Sequence, residues 1–116
     1  MGVLAKRADD AAAAELAANI VSYALGVPAA AIVDDARGCL QTAYARQLAM
    51  YLCHVGFELS LTRVALAFGR DRSTVAHACH AIEDRRDEDQ FDLWISSLEA
   101  MMRAAPLPNA LARAQS

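Results

Sequence analysis

The sequence predicts an all-α fold, a compact domain of five to six helices that contains a helix-turn-helix. Three observations carry this. Apolar residues recur at helical spacing in separated stretches, and Gly or Pro punctuates them. No stretch shows the period of two that a half-buried strand requires. Ala65, Gly69 and Val75 stand at the spacing that joins two short helices at a steep angle. At 116 residues and 56% hydrophobic composition, the chain supports one modest core, not a nucleotide-binding domain beside a second one. Much of that apolar content is alanine, the strongest helix former.

The elements follow in order. Asp9 or Asp10 is a candidate N-cap, and Leu16, Ile20, Tyr23 and Val27 then share one helical face. Gly26 and Pro28 stop that helix. Residues 29–33 make a short turn or helix, and 34–42 read as a loop. A helix over 44–55 carries Ala45, Leu48, Leu52 and Val55 inward, and Gly56 ends it. Leu61, Val64, Ala65 and Phe68 form the next, stopped by Gly69. Ser73 is the N-cap candidate for a helix to Arg86, with Val75, Ala78, Cys79 and Ile82 inside. The acidic run Asp87–Asp89 separates it from a last helix over 90–104, striped by Phe91, Trp94, Ile95, Leu98, Met101 and Met102. We expect a lead-in over 1–15, the domain over 16–104 and a flexible tail over 105–116.

Several chemistries are disfavoured. Cys39, Cys53 and Cys79 cannot complete a disulfide framework, which fits buried thiols in a cytoplasmic chain. Asp9, Asp10, Glu15 and Asn19 interrupt the alanine-rich first segment, so it reads as neither signal nor membrane span. No CxxC pair occurs, and neighbours such as Cys79 and His80 diverge on a helix, so no metal site is expected. Nothing marks an oxyanion hole or an orienting acid for a Cys/His nucleophile, so no enzyme activity and no cofactor are expected.

Charge is unevenly placed. The net charge of −3 hides a basic middle, where seven arginines over 36–86 face four acids. Both flanking segments are acidic, with two basic and five acidic residues each. The basic segment contains the helix-turn-helix. On its second helix Ser73, Ala76, His77 and His80 face outward, opposite Val75, Cys79 and Ile82, and Arg70, Asp71 and Arg72 lie at its entry. Small, hydrogen-bonding and cationic side chains suit base edges and phosphates.

The run Phe68-Gly-Arg-Asp-Arg-Ser-Thr-Val-Ala-His-Ala-Cys resembles the signature of the C-terminal DNA-binding domain of the bacterial replication initiator DnaA, Phe-Gly-Gly-Arg-Asp-His-Thr-Thr-Val followed by x-His-Ala. Ala45-Arg-Gln-Leu-Ala-Met-Tyr-Leu resembles that family's Pro-Arg-Gln-x-Ala-Met-x-Leu helix. The likeness spans roughly residues 18–100. It implies a TrpR/DnaA C-terminal-like fold with Arg70, Asp71, Arg72 and Ser73 at the major-groove end. It also implies phosphate or flanking contacts from Thr74, Arg46, His54 and Ser60. We further expect Arg63, with Arg46, to add sequence-independent affinity through counterion release. Departures are visible. A single Gly69 replaces a glycine pair, Arg72 stands for the signature histidine, and Ser73 for the threonine after it. The loop that sends an arginine into the minor groove carries only Arg37. No Gly-x4-Gly-Lys-Ser/Thr occurs in these residues, so no nucleotide is expected.

The expected function is sequence-specific binding of double-stranded DNA by a cytoplasmic, nucleoid-associated regulator of transcription or replication initiation, without ATPase activity. The expected partners are DNA and a second copy, paired through Phe91, Trp94, Ile95, Leu98, Met101 and Met102. The alternative is a protein-interaction module with weak or lost DNA affinity that uses the last helix.

Overall fold

A computed structural model describes residues 3–34 and 39–105, with side chains from residue 9 onward. Among them are six α-helices and no strand: α1 (Val3–Leu25), α2 (Ala29–Val33), α3 (Leu40–Tyr51), α4 (Leu61–Phe68), α5 (Arg72–Arg85) and α6 (Asp89–Ala104). A π-helical turn, Leu52–Gly56, extends α3. The hub is α3, which packs against α1 and α2 and against α5. α6 packs on the π-turn and on α1. None of the described helices is long and apolar enough to cross a membrane.

Sequence and structure differ most along α1. The helix runs unbroken through residue 15, and Ala12, Ala13 and Ala14 are already buried. Its inner face is Ala13, Ala14, Ala17, Ala18, Ile20 and Val21, whereas Tyr23, expected inside, is 85% exposed. Alanine lets two backbones approach closely, so the stripe of small residues faces the neighbour and the largest ring does not. Gly26 does stop the helix in the left-handed region, at φ 73, with its N–H on the Ser22 carbonyl. Val27 is buried beyond the helix end.

α3 begins at Leu40, inside the expected loop, with Cys39 at its N-cap position. Gln41, Thr42 and Ala43 are polar or small because that first turn faces largely outward. Its far end widens into the π-turn, and Val55, expected inside, becomes partly exposed. On α6 the stripe divides. Phe91, Ile95, Leu98 and Met102 are buried in the chain's own core, Trp94 is half-buried and Met101 is exposed. Four of the six residues expected to pair thus pack within the chain's own core. Residues 106–116 lie outside the described residues.

Candidate nucleic-acid interface

The turn before α5 rests on Gly69. Its φ and ψ of 64° and 37° are left-handed, a region that an L side chain enters only at a cost. The Arg70 N–H bonds to the Ala65 carbonyl at 2.9 Å and the Gly69 N–H to the Leu66 carbonyl at 3.4 Å, which closes α4 as a Schellman motif. Asp71 is extended at the N-cap position, and α5 begins at Arg72. Ser73 thus stands inside the helix and is not its cap, which corrects the sequence reading and leaves its hydroxyl on the surface. Val75, Ala78, Cys79 and Ile82 are buried beneath. Asp71, Arg72, Ser73, Thr74, His77 and His80 are all exposed, and Ala76 is half-buried beside them. At the start of α4, Ser60 Oγ accepts the Arg63 N–H at 3.2 Å as a helix cap.

The arginines divide by partner. Arg63, half-buried, is engaged by an acid. Its Nε donates to Asp10 Oδ2 at 3.0 Å and its Nη2 to the other oxygen, a bidentate pair that ties α4 to α1. Asp10, expected as a helix cap, is buried in that role. This pair holds the Arg63 guanidinium above its ordinary pKa. Arg46 donates from Nε to the Ile32 carbonyl at 2.9 Å and from Nη2 to the carbonyls of Ala31 and Asp34 at 3.0 and 3.2 Å. Arg70 donates from Nη2 to the same Asp34 carbonyl at 3.0 Å. Arg46, Gln47, Arg70 and Thr74 line a crevice between α3 and the start of α5. Arg37 lies outside the described residues.

His54 sits in the π-turn, where Nδ1 is 2.7 Å from the Leu59 carbonyl. With Val55, Leu61, Ala76 and His80 it borders a groove of about 320 Å³ beside α5, floored by Tyr51 and Cys79. Burial pushes the Cys79 thiol up to about 11 and the Cys53 thiol up to about 12, so both stay neutral. Cys39 is exposed, and hydrogen bonds from the Thr42 backbone and side chain lower its thiol. Among the described residues no three His, Cys, Asp or Glu side chains gather as metal ligands.

A charged network at the other end of α5 was not apparent from sequence. Arg86 Nε meets Asp92 Oδ1 at 2.6 Å, Nη1 reaches Glu99 Oε2 and the Tyr51 hydroxyl at 3.0 Å each, and Nη2 reaches Ser96 at 3.0 Å. The Tyr51 hydroxyl donates to Glu83 Oε2 at 2.6 Å. Burial opposes the Arg86 charge, but the bonds to Tyr51, Asp92 and Glu99 outweigh it and hold the guanidinium above its ordinary value. Burial and the Glu83 bond push Tyr51 up to about 12. The only signal in the sequence was the adjacency of a basic run and an acidic one.

This geometry has a counterpart among known proteins. Residues 14–82, more than half of the chain, match the profile of the bacterial DnaA protein helix-turn-helix. The chain belongs to this family. It is 35% identical over 94 residues to the chromosomal replication initiator protein DnaA of Lachnoclostridium phytofermentans, which covers 79% of this chain and 20% of that one. Against DnaA of Aquifex aeolicus it is 40% identical over 60 residues, 51% of this chain and 15% of the other. A crystal structure of a DNA replication initiation factor superposes with a TM-score of 0.74 at 29% identity, covering 87% of this chain and 31% of that one. The chain thus spans about a fifth of the length of the first of these relatives. The DnaA helix-turn-helix is a DNA-binding domain, and in this member α4, the Gly69 turn and α5 form it.

Proposed function

We propose that the protein binds double-stranded DNA sequence-specifically by laying α5 in the major groove, and that it regulates transcription or replication initiation in the bacterial cytoplasm. The observation that carries this reading is the outer face of α5, where Arg72, Ser73, His77 and His80 stand exposed on a helix anchored by Val75 and aimed by Gly69. Arg72 can fork onto a guanine edge, Ser73 suits either a base or a phosphate, and Thr74 flanks them. Arg63 leaves the expected set, since Asp10 holds it. His54 and Ser60 remain at the rim as backbone contacts, and Arg37 as the arginine of the minor-groove loop. These residues contain no P-loop, so we assign no ATPase activity to them.

The test is a fluorescence anisotropy titration with random duplexes and with duplexes selected from a random pool, at about 50 and 200 mM salt. Selected sites should bind at least tenfold more tightly, with a steep fall in affinity as salt rises. Equal, weak affinity for every duplex would favour the protein-interaction reading. Self-pairing narrows to the outer side of α6, where Leu93 and Met101 are exposed and Trp94 is half-buried. Sedimentation of the wild type and of Leu93→Asp at micromolar concentration tests it, and a monomeric wild type would end it.

A further inference from the structure

α2 has five residues, too few to satisfy its own carbonyls, because the last four of any α-helix lack partners within it. Among the described residues, Asp34 N–H, on the Ala30 carbonyl, closes its end locally. The carbonyls of Ala31, Ile32 and Asp34 are capped by Arg46, a residue of another helix. A cation at a helix C-terminus also opposes the negative end of the dipole. The Asp34 carbonyl takes a second guanidinium from Arg70, which directly follows Gly69 in the turn that leads into α5. The exit of α2 is therefore held from two sides, by α3 and by the turn that aims α5. Because Nε and Nη2 of Arg46 both face carbonyls, neither edge of its guanidinium is free to grip a phosphate in bidentate fashion.

We infer that Arg46, seconded by Arg70, is a positioning residue for DNA recognition. It fixes the exit of α2 against the amino end of α5, and so sets how sharply the protein discriminates between duplex sequences, while adding little to salt-dependent affinity. The inference rests on the DNA-binding reading above. It differs from a phosphate contact, which raises affinity for every duplex alike.

Arg46→Gln and Arg46→Lys are compared with wild type in the full chain, with far-UV circular dichroism as the folding control. Amide exchange at Ala31, Ile32 and Asp34 should quicken about tenfold in both variants without DNA, since a lysine cannot fork across three carbonyls. Preference for a selected over a random duplex should fall about tenfold in both, and the salt slope should stay unchanged. A slope lower by about one unit in Arg46→Gln but kept in Arg46→Lys, with α2 exchange unaltered, would make Arg46 a phosphate contact and overturn the inference. Wild-type protein that prefers no duplex would instead overturn the DNA-binding reading, while the exchange measurement would still report on the anchor. If Arg46→Gln unfolds, Arg70→Ala removes the second donor from the Asp34 carbonyl, and unaltered amide exchange at Asp34 together with an unaltered preference between duplexes would overturn the inference.

Discussion

Two turns flank α5, and each carries a pair of arginines: both are engaged by neighbours at the carboxyl end, whereas at the amino end Arg70 is engaged and Arg72 is not. At the amino end, Arg70 and Arg72 bracket Asp71. Arg72 is exposed and makes no hydrogen bond or ion pair with any described residue. At the carboxyl end, Arg85 lies over the Phe91 ring at 4.1 Å and donates to the Tyr44 hydroxyl at 2.7 Å, while Arg86 is enclosed by Asp92, Glu99, Tyr51 and Ser96. In sequence the two pairs look alike, and both counted toward a basic segment. The difference teaches that a charge tally measures composition, not availability. A partnered guanidinium is already desolvated and oriented, and it offers a phosphate little further gain.

The largest expected effect breaks the carboxyl-end pair. Arg86→Met should cost about 3 kcal/mol of folding stability, because it leaves Glu99 buried without its cation. Urea unfolding measures this, and a loss under about 1 kcal/mol would show that the network is solvent-screened. The same network makes a pH prediction. Tyr51 is raised from 10.0 to about 12, so its neutral form is favoured by the fold. Its contribution is whole below pH 10 and is lost as pH climbs toward 12. Tyr51→Phe should flatten the melting temperature across that window.

Next comes the exposed arginine. Arg72→Ala should change stability by no more than about 0.5 kcal/mol, yet weaken binding to a selected duplex by about 1–3 kcal/mol and to random DNA far less. Equal losses on both would turn Arg72 into a phosphate clamp. Gly69→Ala should cost about 1 kcal/mol. Nothing lies within 4 Å of an added Cβ, so the penalty is conformational and a steric explanation is removed. The smallest effect belongs to Arg85→Gln, about 0.5–1 kcal/mol from the lost ring contact, with no change in the salt slope. A lower slope would place Arg85 against DNA and blur the contrast between the two turns.

How much of this was legible depended on the range of the cause. Gly26, Gly69, and the inner face Val75, Ala78, Cys79 and Ile82 are local signals, and the helix-turn-helix follows from them. On α1 the large apolar residues outline one face, with Tyr23 inward, but the face that packs is alanine and Tyr23 is exposed. The roles of Arg46 and Arg63 were hidden for another reason. Arg63 meets Asp10 across 53 residues, and Arg46 meets backbone carbonyls that no residue type announces. Periodicity reports which face a helix buries, not which distant acceptor a long side chain will find.

The alanine faces of α1 and α3 carry a consequence for how this chain can drift. Ala17, Ala45 and Ala49 have no exposed surface, and the two helices that bear them pack together. A single-nucleotide change in an alanine codon yields valine, threonine, serine, proline, aspartate, glutamate or glycine, and all but glycine are larger or lack the helical N–H. In a core of leucines the usual injury is a hole. At this seam it is a wedge, which pushes the helices apart instead of letting neighbours settle inward. Variation should therefore be scarcest where the side chains are smallest, and a single methyl group added at Ala17 should be felt in the spacing of α1 and α3.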